Sequence, residues 1–124
     1  MPSDWRELVA GEQMQVDGDY VTVRFANQRA QRVRVQATAD ALELFAVAAR
    51  AASVRGVSDL PLRIWRQNRG AQLVSFRIDA DGCVCATGWV PRAGLSAEEF
   101  QLVLRRVAAE SDRVEFLLTG KDVE

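Results

Sequence analysis

Any chemistry in this chain would have to start from a short roster of residues. Cys83-Val84-Cys85 carries soft-metal donors, and Asp79-Ala80-Asp81-Gly82 has the opening of a calcium loop. Glu98 with Glu99, and Asp4 with Glu7, are neighbouring carboxylates, while Arg63, Arg66, Arg69 and Arg77 stand among Trp65 and Trp89. A zinc site takes four nitrogen or sulfur ligands, and there is no histidine to join the cysteines. Within one chain the pair reads as thiols on a strand face, too close along the strand for an unstrained bridge; zinc shared across a dimer is the remaining metal arrangement. A calcium loop needs a glutamate at its twelfth position, where Val90 stands if Asp79 is first, so Asp-Gly reads as a tight hairpin turn. The carboxylate pairs fall in first helical turns, where they complement the helix dipole instead of converging on a pocket. Without a histidine base, a nucleophile elbow or a glycine-rich phosphate loop, the chain reads as no enzyme, with no catalytic residue, cofactor or metal assigned.

The arginines and tryptophans have the ingredients of a single-strand nucleic-acid platform, which joins phosphate contacts to base stacking. A net charge of −1, a pI near 5.5 and the lack of lysine clusters argue against it, and an aromatic interface is the expectation. With 124 residues, 48% of them hydrophobic, the chain can bury one core, so residues 1–124 read as a single domain. The first residues show neither a basic nor an apolar leader region, and no apolar run reaches the ~18 residues of a membrane helix. A cytoplasmic protein with reduced thiols follows. Charge is uneven: five arginines oppose Asp79 and Asp81 between 60 and 95, whereas seven acidic residues outnumber four basic ones from 96 onward. These segments can attract each other across the fold or across a dimer.

The elements that must position these residues follow from periodicity. Ser3 caps a short helix holding Trp5, Leu8 and Val9 on one face, with Gly11 as its end. After the turn Val16-Asp17-Gly18-Asp19, the stretches 20–25 and 32–36 alternate apolar with polar and predict a hairpin, with Val33 and Val35 inward and the arginines in solvent. Thr38 or Asp40 is a candidate cap for an alanine-rich helix reaching Val54, on which Ala41, Leu44, Phe45, Ala48 and Ala52 share a face. Its small side chains predict close approach to neighbours. Leu62–Gln67, Leu73–Ile78 and Cys83–Val90 predict a three-strand meander. One of its faces carries Trp65, Leu73, Cys85 and Trp89 and is too apolar for plain solvent. Finally Ser96 and Glu99 form a capping box, with Leu95 and Phe100 as a hydrophobic staple. They open a helix of about 22 residues, ~33 Å long, that Gly120 can stop. The sum is an α+β fold: an antiparallel sheet of about five strands with helices packed on one face, in the order α-β-β-α-β-β-β-α.

Three stretches carry a family likeness: Leu62-Arg63-Ile64-Trp65-Arg66-Gln67-Asn68, the run from Val74 to Gly82, and Val90-Pro91 with Leu95-Ser96-Ala97-Glu98-Glu99-Phe100. In these the chain resembles the YbjN-like proteins, a group labelled bacterial sensory transduction regulators that shares the fold of type III secretion chaperones. Secretion chaperones carry three strands before the middle helix and two after it, whereas the periodicity here predicts two and three. The resemblance implies a non-enzymatic, often dimeric domain that binds polypeptide through apolar patches or by strand addition at a sheet edge. The expected function is therefore a protein-binding or chaperone-like module, a homodimer, with Trp65, Leu73, Cys85 and Trp89 as anchors and Arg66 and Arg77 as rim charges. The alternative is a small-molecule-sensing or regulatory subunit with a pocket on the same face.

Overall fold

The computed structural model describes residues 4–70 and 72–119, which leaves the Ser3 cap and the Gly120 stop outside the described residues. At the amino-terminal end, a carboxylate oxygen of Asp4 accepts the Arg6 N–H at 3.1 Å and caps a single 3-10 turn, Trp5–Leu8. Trp5 is buried and meets the Phe100 ring edge-on at 6.1 Å, which anchors this turn to the core.

Six strands then form one sheet: β1 (Met14–Asp17), β2 (Tyr20–Arg24), β3 (Ala30–Ala37), β4 (Ala41–Ala49), β5 (Ser75–Ile78) and β6 (Val84–Pro91). Their order is β1-β2-β3-β4-β6-β5, and each neighbouring pair is antiparallel. Between β4 and β5 lie a short helix, α1 (Ala51–Val54), and a longer one, α2 (Leu60–Gly70); α3 (Ala97–Thr119) closes the chain. The α+β class, the antiparallel sheet and the β2–β3 hairpin stand as expected. One extra strand, β1, brings the sheet to six; it is only four residues long and its alternation is too brief to stand out.

Two elements exchange types. The alanine-rich stretch expected as a helix is mainly β4, and the stretch Leu62–Gln67 expected as a strand lies in α2. In β4, Leu42, Leu44, Ala46 and Ala48 are buried while Glu43, Phe45 and Val47 are not, a period of two that alanine's helical propensity disguised. The apparent cap also has a turn's explanation. Thr38 Oγ1 accepts the Ala41 N–H at 3.1 Å, the i to i+3 bond of a helix cap, but here it closes the turn between β3 and β4. In α2, Pro61 occupies the first turn, where its missing N–H costs nothing, and Ile64 is the buried residue. Four strands thus precede α2 and two follow it, so the meander is reduced to the β5–β6 hairpin.

Alanine abundance serves close approach, as expected, but from the sheet's side. Ala46 and Ala86 are register partners at the centre of the sheet, both buried. Beside them, a Cβ on Gly88 would fall 2.8 Å from Val107 Cγ2 and 3.2 Å from Val103 Cγ1. Small residues on β4 and β6 therefore let α3 sit close to the strands. The capping box forms, with Ser96 N–H donating to Glu99 Oε1 at 3.0 Å and Glu99 N–H donating to Ser96 Oγ at 3.1 Å. Phe100, Val103, Leu104, Val107, Ala108, Ser111 and Val114 are buried along one stripe, each large apolar member contributing about 1.5–3 kcal/mol. The far end of α3 is pinned by polar contacts. Ser111 Oγ donates to Gln31 Oε1 at 3.2 Å, and Arg29 pairs with Asp112 at 2.7 Å.

Candidate functional site

With α3, α1 and the first turn on one face of the sheet, the strands' other side chains are left facing outward. Register sets them in rows. Tyr20, Arg34, Phe45, Thr87 and Ser75 are successive partners across β2, β3, β4, β6 and β5. On one side of that row lie Gln36, Glu43 and Trp89; on the other lie Val47, Cys85 and Arg77. Trp89 is 59% exposed and Val47 48%, values unusual for large apolar side chains in a sheet. No helix among the described residues lies over this face.

Two adjoining depressions shape it. One, of about 490 Å³, is walled by Glu43, Phe45, Leu73, Arg77 and Trp89. The other, of about 500 Å³, is walled by Tyr20, Arg32, Arg34, Phe45, Arg50 and Arg77, with Val47, Asp79 and Cys85 at its floor and rim. Phe45 and Arg77 belong to both, and the Arg77 guanidinium lies over the Phe45 ring at 5.6 Å. Arg32 likewise lies 4.0 Å over Tyr20.

The electrostatics at the rim are fixed by the β5–β6 turn. Asp79 Oδ1 accepts the N–H groups of Cys83 and Asp81, both at 2.9 Å, and Gly82 adopts the positive φ of 87° that the turn requires. The Cys83 N–H bond, first of all, holds the Asp79 carboxyl below the ordinary carboxylate range. Cys85 Sγ donates to Asp79 Oδ2 at 3.7 Å, and burial followed by the Asp79 charge pushes that thiol up to about 11. A thiol held neutral is a poor nucleophile and a poor soft-metal donor. No group of three or more His, Cys, Asp or Glu side chains suited to a metal gathers among the described residues.

Of the residues expected to act together, Leu73, Trp89, Arg77 and Cys85 border the outward face. Cys85 is buried there and Leu73 sits at the rim with a positive φ of 67°. Trp65 and Arg66 do not join them. They lie on α2, where Leu62, Trp65, Arg66 and Arg69 form an exposed strip and the Arg69 guanidinium is 5.2 Å from the Trp65 ring. The expected set omitted Tyr20, Arg32, Arg34, Phe45, Val47 and Arg50. The alternation Arg32-Val33-Arg34 was visible, and Glu43, Phe45 and Val47 fall on one face once residues 41–49 are read with period two.

The sheet's two edges differ. Along β5, Asn68 of α2 donates from Nδ2 to the Phe76 carbonyl at 2.8 Å and accepts the Phe76 N–H at Oδ1 at 2.7 Å, which occupies that edge. Among the described residues, β1 pairs with β2 alone.

Several solved structures share this architecture. A chain of the ExsC–ExsE complex superposes with a TM-score of 0.60 at 18% identity, over 84% of this chain and 80% of that one. A chain of the heterodimeric ExoU–SpcU complex, from the type III secretion system of Pseudomonas aeruginosa, gives 0.60 at 12% identity, over 85% and 87%. The complex of the Yersinia pestis type III secretion chaperone SycH with a stable fragment of YscM2 gives 0.52 at 17% identity, over 92% of both chains. The class defined is thus the type III secretion chaperone-like fold, an α+β unit with helices on an open antiparallel sheet. At these identities the likeness is one of fold. No protein-family model and no curated protein matches the sequence.

Proposed function

We propose that this protein is a non-enzymatic, chaperone-like module that binds a polypeptide on its open sheet face. The observation that carries the reading is the surface of Val47, Trp89 and Leu73, each about half exposed in a single copy, set around the half-buried Phe45. The solved relatives in fold support it, since each is a complex of polypeptides. A YbjN-like affiliation, one domain spanning residues 1–124 and action in the cytoplasm complete the proposal. No helix among the described residues is long and apolar enough to cross a membrane. The depressions are wide furrows sharing a wall, a shape that suits an extended chain more than the enclosed small ligand of the alternative reading.

A second surface, the α2 strip, favours self-association. Trp65 is 57% exposed and Leu62 44%, one helical turn apart. The homodimer is accordingly assigned to α2 and polypeptide capture to the sheet face. An unbiased peptide array tests the division. Wild type should retain peptides that a Phe45→Ser, Trp89→Ser variant loses, while Trp65→Ser lowers the sedimentation coefficient and leaves peptide retention intact. Equal retention by wild type and the Phe45→Ser, Trp89→Ser variant would reject the sheet face.

A further inference from the structure

We infer that the segment seated on this face is acidic as well as apolar, with carboxylates and apolar side chains in alternation; this rests on the polypeptide-binding reading and specifies its ligand. Arg32, Arg34, Arg50 and Arg77 converge on one depression, and none takes part in an ion pair among the described residues. The ion pairs among the described residues use other arginines, Arg6 with Asp4 and Asp19, Arg29 with Asp112 and Arg113 with Glu110, so these four guanidinium groups are left to the furrow. The acidic groups that border the face are Asp79, whose carboxylate accepts the Cys83 and Asp81 N–H groups and feels the Arg77 charge without forming an ion pair with it, and Glu43 in the row of Trp89; among the described residues, Arg32, Arg34 and Arg50 face no such carboxylate. A basic furrow in a chain of net charge −1 is a local feature, not a general one.

Spacing selects the ligand's form. Arg32 and Arg34 lie two residues apart on β3, about 6.6 Å along the strand, beside Phe45 and Val47 at the same interval on β4. An extended peptide has the same rise. Laid along the furrow, its alternate side chains point to opposite sides, one set to the guanidinium row and the other to the apolar row. Guanidinium groups bind carboxylates in a planar, two-pronged geometry, and Tyr20 and Phe45 hold Arg32 and Arg77 in place by stacking. A nucleic acid fits less well: its charge recurs at every unit with no apolar set to place on Phe45 and Val47.

The test uses fluorescent peptides of about a dozen residues in which Glu alternates with Leu and Val, with matched peptides carrying Gln or Lys in place of Glu. Anisotropy should show the Glu peptide bound at least roughly tenfold tighter than the Gln peptide. The gap should close in an Arg32→Gln, Arg34→Gln variant and in salt of about 0.5 M, and the Lys peptide should not bind. Equal binding of the Glu and Gln peptides, with loss of both in Trp89→Ser, would overturn the acidic assignment while sparing the polypeptide-binding face. Absence of binding by every peptide would overturn both. Displacement of the Glu peptide by a single-stranded RNA of equal or higher affinity would overturn it in favour of a polyanion site.

Discussion

The guanidinium of Arg77 stacks on the ring of Phe45, 5.6 Å away, across a β6 strand that separates the two residues in the sheet. That contact sets a charge on an aromatic surface between the two depressions, so both share one aromatic ring and one guanidinium. It also shows why the outward face is not plain solvent-facing sheet: its long side chains are held by one another.

Leu73 carries a strain that packing in the free protein does not explain. It is 57% exposed, yet its φ of 67° lies in the left-handed region, which costs a leucine about 1–2 kcal/mol. Leu73→Asn should keep or raise stability, by up to about 1 kcal/mol, because asparagine tolerates that conformation, and should weaken peptide binding. Urea unfolding and anisotropy on the same samples check the two halves; a clear loss of stability would show that Leu73 is a packing residue.

Gly88→Ala should be destabilising. The added methyl would meet Val107 Cγ2 at 2.8 Å, and Val107, on the sheet-facing stripe of α3, is fully buried. The expected loss is about 1–3 kcal/mol in chemical denaturation, as for other overpacked cores. A neutral result would mean that α3 lies farther from β6 than described.

How much of this was legible from sequence depended on whether local and tertiary signals agreed. Ser96, Glu99 and the stripe from Phe100 to Val114 agree, so α3 was read correctly from its cap onward. At residues 41–49 they conflict. Alanines favour a helix, and only hydrogen bonding to β3 on one side and β6 on the other makes β4 a strand. Reading 41–49 as a helix also hides the outward face, since Phe45 and Val47 align with the arginines of β3 only in a strand. A period of two over residues 62–67 sets Trp65 beside Trp89, whereas the helix α2 carries it elsewhere. Leu73, Arg77, Cys85 and Trp89 were found together because the β5–β6 turn at Asp79-Ala80-Asp81-Gly82 fixes their register.

Asn68→Ala removes both bonds to the Phe76 backbone and leaves its N–H and carbonyl unpaired. A stability loss of about 1–3 kcal/mol is expected, together with concentration-dependent association through the newly opened β5 edge. Denaturation and light scattering check this, and a monodisperse variant of unchanged stability would contradict it.

The pH response of Cys85 follows from its surroundings. A raised thiol pKa means that the neutral form is the one the fold favours. Its contribution is complete below the ordinary thiol range and is lost as pH rises through about 11. In a Cys83→Ser variant at pH about 8, iodoacetamide should modify Cys85 roughly a hundredfold more slowly in the native protein than in urea, with the rate climbing toward pH about 11. Comparable native and unfolded rates would show that Asp79 and burial do not hold the proton.

The most direct measurement concerns the indole N–H resonances of Trp5, Trp65 and Trp89 during titration with the alternating Glu peptide. Trp5 is buried in the core, Trp65 lies on α2 and Trp89 on the open sheet face. A sheet-face binding site predicts that the Trp89 resonance shifts with peptide, saturates, and does so alone. Movement of Trp65 with a stationary Trp89 would contradict it and transfer the binding site to α2.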